Sequence, residues 1–197
     1  THRASSQWSK GGIMFLTEAQ KSTFKAAIAA ETDPVLVAFR NEGATGAMGE
    51  WYSGATTFIV WNSKTPTDDI YNAINWKNFT PADPPDGTLV YQNRETRAQI
   101  QQDAVFGLLK NGFASTIDMS KPKISSGVQD ALTDLYTGSG GALLQGGWSA
   151  VKTASTRAAS RGERIFATGA GTNANPGTNG PEGIVSNYDI LAILAAA

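Results

Sequence analysis

The chain has no cysteine, and its one histidine is the second of 197 residues. Lack of cysteine removes disulfides, thiolate metal sites and thiol nucleophiles together, and suits a chain made in a reducing cytoplasm while also being compatible with secretion. With histidine confined to His2, a Ser–His–Asp triad or an imidazole base has no partner in the body of the chain. Charge of one sign is also missing: 16 basic residues face 17 acidic ones, for a net charge of −1. That balance excludes a general polybasic footprint for nucleic acid. No apolar run approaches the roughly 20 residues that cross a bilayer; the longest near the N-terminus is Ile13-Met14-Phe15-Leu16. These absences lead to the expectation of a soluble, unanchored protein that is not an enzyme and carries no metal or cofactor.

What is present is short-helix punctuation. Residues 1–13 are polar and aperiodic, and Lys10-Gly11-Gly12 precedes Met14 as a translated ribosome-binding sequence would. The stretch reads either as an N-terminal arm or as a start-site extension, with residues 14–197 forming a single mainly helical domain. Thr17 and Gln20 have capping-box spacing and open a helix to about Glu31, with Phe24, Ala27 and Ile28 on one face. Asp33-Pro34 supplies an N-cap and a first-turn proline for the next helix, which Gly43 ends. A third helix carries Met48, Trp51 and Tyr52 and stops at Gly54.

Thr56 to Trp61 is β-branched and aromatic, which predicts a short extended segment at about 56–61. Thr65-Pro66-Thr67-Asp68 predicts a helix capped by Thr65, with Ile70, Ala73 and Ile74 buried and Trp76 at its end. Residues 81–87, rich in proline, are expected to form a loop that serves as a hinge, and helices are expected at 89–111 and from about Ser120 through Leu135. Another is expected over 143–168, with a stripe of Trp148, Val151, Ser155, Ala158, Gly162 and Ile165. A last helix opens at Ser186 with Asp189 and carries Ile190, Leu191, Ile193 and Leu194. The expected fold is mainly α: a compact bundle of about six or seven short helices with one extended segment and long loops.

Few groups suggest chemistry. Gly138-Ser-Gly-Gly141 and Gly169-Ala-Gly171 lack the spacing of phosphate-binding loops. Paired carboxylates drawn from Glu18, Glu31, Glu42, Glu50 or Glu95 with an aspartate would suit glycoside hydrolysis, although capping and solvation also explain them. Trp51, Trp61 and Trp76 with Tyr52 and Tyr71 would serve either as a glycan-stacking platform or as core. On the expected 143–168 helix, Arg157, Arg161 and Arg164 fall at i, i+4 and i+7, a basic face toward DNA or an acidic partner. The Gly/Asn/Thr/Pro segment 169–183 contains Asn173, Asn175, Pro176, Asn179 and Pro181. A loop of that length is functional or disordered, and the functional version is an assembly contact ordered by a neighbouring subunit.

The succession LTEAQ…AAETDP, RNEGATGAMGEWY, FIVWNS…DDIYNAINW and TRAASRGERIFATG, followed by the Gly/Thr/Asn loop, resembles small virion proteins of tailed bacteriophages, from the head and head-to-tail genes. The likeness spans about Met14 to Leu194. It implies a helical adaptor subunit below the portal, commonly in a ring of twelve, joining capsid to tail, and a connector, a neck protein or a capsid accessory protein would all fit the likeness. The implied partners are further copies of itself, the portal protein, tail nozzle or tube proteins and packaged DNA passing through the ring. The implied location is the head–tail junction of the virion, after synthesis in the bacterial cytoplasm. The alternative reading is a phage carboxylate-dependent glycan hydrolase or glycan-binding module.

Overall fold

A computed structural model describes residues 14–74, 115–135 and 148–196. The expected hinge at 81–87, the helix at 89–111, Trp76, Glu95 and the 1–13 stretch lie outside the described residues. So do Gly138 to Gly141. The described chain is helix-rich with small two-stranded sheets, in the order α1 (Glu18–Ala30), α2 (Pro34–Glu42), α3 (Thr45–Ser53), β1 (Ala55–Trp61), β2 (Thr65–Pro66), α4 (Thr67–Ala73), β3 (Thr116–Ile117), α5 (Pro122–Leu135), α6 (Trp148–Ala154), β4 (Thr156–Ser160), α7 (Arg161–Arg164) and α8 (Asn187–Ala195). No helix among the described residues is long and apolar enough to cross a membrane. Contacts divide the chain into two compact units, a finer partition than the one domain read from length. The first joins the residues up to Val60 with those from Ala158 onward, and the second is Trp61–Arg157.

The first unit is assembled from locally specified helices. Thr17 accepts the Gln20 N–H at 3.3 Å while its own N–H donates to Gln20 Oε1 at 2.9 Å, so two otherwise unpaired amides at the start of α1 are satisfied. Asp33 Oδ1 accepts the Val35 N–H at 2.9 Å, and Gly43 ends α2 at φ +66°, the left-handed region open to glycine. Arg40 reaches back to the Ile28 and Ala29 carbonyls at 2.8 and 2.9 Å, placing a cation at the negative end of α1. These caps orient Phe24, Ile28, Leu36 and Met48 into one core with Tyr52, Val185, Ile190 and Ile193. Ser186 and Asp189 form a second capping box that starts α8.

The second unit has its own core of Ile70, Ile74, Ile117, Met119, Leu132, Trp148 and Val151. Here α4 begins one residue later than its sequence suggests, at Thr67 with Pro66 in the cap position. Thr65 and Pro66 are taken by antiparallel pairing with Ile117 and Thr116, and Thr65 Oγ1 donates to the Asn62 carbonyl at 3.2 Å instead of capping. Trp61 packs against this core, 5.9 Å from Trp148 between ring centroids, with Tyr71 nearby.

The largest departure lies at 143–168, where one helix was expected. The chain instead runs from α6 into β4 and then α7. β4 pairs with β1. Ser160 then accepts the Glu163 N–H at 3.1 Å while its own N–H donates to Glu163 Oε2 at 2.8 Å. That is a capping box in the middle of the expected helix. β-branched Thr156 and the partner strand outweigh the helical period, and Ser160-x-x-Glu163 restarts the helix one strand later.

Candidate functional site

Breaking that helix removes the basic face as drawn. Arg157 is half-buried on β4, in the second unit, whereas Arg161 and Arg164 belong to α7 in the first. The Arg161 guanidinium lies 4.5 Å from the Trp51 ring centroid, with Nη1 donating to the Trp51 carbonyl at 3.0 Å. The Arg164 guanidinium lies 4.1 Å from the Phe58 centroid and its Nη1 donates to the Ala167 carbonyl at 3.4 Å. The ring contact and the carbonyl bond hold each guanidinium in place, and its remaining N–H groups have no partner among the described residues.

These two arginines line an open cleft of about 390 Å³ with Glu31, Asp33, Trp51 and Tyr52. Glu31 and Asp33 come from the α1–α2 corner, so residues more than a hundred positions apart in sequence meet here. Glu31 Oε1 accepts the Thr32 and Asp33 amides at 2.9 and 3.1 Å, and Asp33 Oδ1 caps α2. Each carboxylate therefore has one oxygen committed to the backbone. Tyr52 is buried, and its hydroxyl has no hydrogen-bond partner among the described residues. Burial pushes that hydroxyl well above the ordinary phenol range, with the Glu31 charge adding to the shift and Arg40 opposing it.

The other carboxylates considered are dispersed: Glu18 pairs with Lys21 at 2.6 Å, and Glu42 and Glu50 are exposed helix positions. Trp51 and Trp61 pack in separate hydrophobic clusters, so the described aromatics do not gather into one platform. No group of three His, Cys, Asp or Glu side chains among the described residues is placed to hold a metal ion.

The 169–183 segment is ordered by its own chain. The Ile59 N–H donates to the Gly171 carbonyl and the Gly177 N–H to the Ile59 carbonyl, both at 2.8 Å, and Thr168 bridges Thr178. The Phe58 ring sits between the backbones of Gly171 and Gly177, where an added Cβ would come within 2.0 and 2.5 Å of ring carbons. Buried Glu163 ties the far end, accepting the Gly183 N–H at 3.3 Å. Asn173 and Asn175 are exposed at the tip, where Thr172 donates to the Asn175 carbonyl at 3.1 Å. Pro176, Asn179 and Pro181 are half-buried, and Asn179 Nδ2 donates to Glu182.

A second surface stands out on α8. Ile190 and Ile193 are buried, yet the helix also exposes Tyr188 (81 %), Leu191 (49 %) and Leu194 (38 %). Ile184 and Phe15 are exposed as well, and Met14 donates its N–H to the Ile184 carbonyl at 3.2 Å, which brings those two neighbourhoods together. Comparison with models of known protein families, with curated proteins and with solved structures gives no match.

Proposed function

We propose that this chain is a structural subunit of a tailed-phage particle, acting as a head-to-tail adaptor that assembles as a ring beneath the portal and joins capsid to tail. The observation that carries the reading is α8, a short helix apolar on two sides. Ile190 and Ile193 complete the internal core, while Tyr188, Leu191 and Leu194 present a second apolar stripe to solvent. A surface helix of a monomer ordinarily keeps one apolar stripe, and a second one marks a face for another protein. Fully burying a leucine gains about 1.5–3 kcal/mol, so a few such contacts per subunit, repeated around a closed ring, add up to a stable assembly. Further copies of the chain, the portal and tail proteins are the partners proposed, with twelve subunits the expected ring and DNA passing through it.

Light scattering and negative-stain imaging of the purified protein, with and without the portal protein, test this. Rings, or a monomer that becomes a ring with the portal, support it. A monomer indifferent to the portal overturns it.

One observation favours a second reading, a glycan hydrolase or glycan-binding module: Glu31, Asp33 and Trp51 share one cleft. Glycosidases need two carboxyl groups facing each other across a sugar, whereas these two stand two residues apart in one corner and each serves backbone amides. Peptidoglycan turnover that disappears in Glu31→Gln would establish this reading in place of the adaptor.

A further inference from the structure

We infer that the cleft lined by Glu31, Asp33, Arg161 and Arg164 binds a mixed-charge peptide segment of a partner protein. An acidic side chain of that segment pairs with the two guanidiniums, and a donor group beside it faces the two carboxylates. The inference does not depend on the apolar face of α8.

The cleft holds unspent capacity of both kinds. No carboxylate lies within ion-pair distance of Arg161 or Arg164 among the described residues. Each guanidinium spends Nη1 on a main-chain carbonyl and lies over an aromatic ring, so it is held in place with its other N–H groups unspent. The carboxylates are the complement. Glu31 Oε1 and Asp33 Oδ1 take backbone amides, and Oε2 and Oδ2 have no partner among the described residues. A ligand that fills the cleft must bring an acceptor to α7 and a donor to the α1–α2 corner. A peptide with neighbouring acidic and basic or hydroxyl side chains does both.

Charge and size narrow the class. A DNA backbone brings many phosphates, and two fixed carboxylates in the same lining repel them while only two cations attract. The arginines therefore do not form a general phosphate-binding face. A volume of about 390 Å³ is at the low end of small-ligand sites, roughly 300–1,000 Å³, which suits a few side chains from a protruding segment.

The test is an NMR titration of the whole ¹⁵N-labelled chain, following the Arg161 and Arg164 Nε–H and Trp51 indole signals. The probe is a short capped peptide carrying one Glu and one Lys. The controls are the same peptide with Glu replaced by Gln, sodium acetate, and a short DNA duplex. Saturable shifts with the Glu/Lys peptide are expected, weakened about threefold to fivefold by the Gln peptide or by Arg164→Gln, the scale of one partly exposed ion pair. Arg164→Lys should recover part of the loss. The Gln-peptide control needs no altered protein, so it stands whatever the variants do to folding. Absence of a saturable shift, equal response to the Gln peptide, or acetate matching the peptide each overturns the proposal. A duplex that moves the same signals at lower concentration overturns it in favour of nucleic acid.

Discussion

Two regions of the first unit reach order by opposite routes. The α1–α3 corner is a series of small, nearly independent devices: a capping box, an Asp cap, a left-handed glycine and an arginine on the α1 carbonyls. The 158–183 region relies on mutual exclusion. Strand β4 pairs with β1, and the 169–183 loop closes over Phe58 only because Gly171 and Gly177 have no side chain to collide with it. The first route spreads stability over many replaceable contacts of about 1 kcal/mol each, and the second concentrates it in a few positions that accept one residue type.

Substitution at the clasp should break the contrast most sharply. Gly171→Ala adds a Cβ 2.0 Å from Phe58 Cδ2 at a residue with φ +65°, so a loss of about 3 kcal/mol or more is expected by urea unfolding. Gly177→Ala meets both Phe58 and the Thr168 carbonyl and belongs in the same range. If either alanine variant melts with the parent protein, the clasp is not what holds the loop. Phe58→Ala in the Gly171→Ala background should recover part of the loss, because the collision is with that ring.

Caps come next in size. Thr17→Ala and Ser186→Ala should each cost about 1 kcal/mol, and the double variant should lose the sum, as sites without shared partners do. Strong non-additivity in that double-mutant cycle would show that the corner is less modular than its hydrogen bonds indicate.

A smaller effect is expected at Tyr52. Its buried hydroxyl resists ionisation in the folded chain, whereas in the unfolded chain it titrates near the ordinary value of about 10. The unfolded state then releases a proton that the folded state keeps, so stability holds below pH about 10 and falls as pH rises above it. Tyr52→Phe should remove that alkaline decline and change stability at neutral pH by about 1 kcal/mol or less, since it also removes an unpartnered buried hydroxyl. Alkaline melts of the two proteins check it, and parallel curves would refute the assignment.

The smallest effect on stability should come from Tyr188→Ser with Leu191→Ser, about 0.5 kcal/mol or less for exposed positions. If the chain is the ring-forming adaptor proposed above, the same double change should abolish ring formation by light scattering. A large loss of stability would place those side chains in the internal core instead.

How much of this was legible in sequence follows the same division. Thr17 with Gln20, Asp33 with Pro34, and Ser186 with Asp189 are local signals, and the helices they open stand where the spacing puts them. The 143–168 reading failed because apolar periodicity there was genuine but local, and strand pairing between β1 and β4 is a contact across a hundred residues. One signal was present and passed over: Ser160-x-x-Glu163 is a capping-box pattern inside a supposed helix interior. The cleft had no comparable trace. Glu31 and Arg161 meet only once α3 and α7 have packed, and nothing near either residue announces the other.

The division into two units also sets a timetable. The first unit is split in the chain, its later half beginning at Ala158, whereas Trp61–Arg157 is continuous. At about 5–20 residues per second, synthesis of the intervening stretch takes roughly 5–20 s. Throughout that interval Phe24, Ile28 and Met48 have been made, but Val185, Ile190 and Ile193, which complete their core, have not. The Trp61–Arg157 unit can finish first, and the older helices wait on the youngest residues, a period in which the nascent chain is a natural client for chaperones.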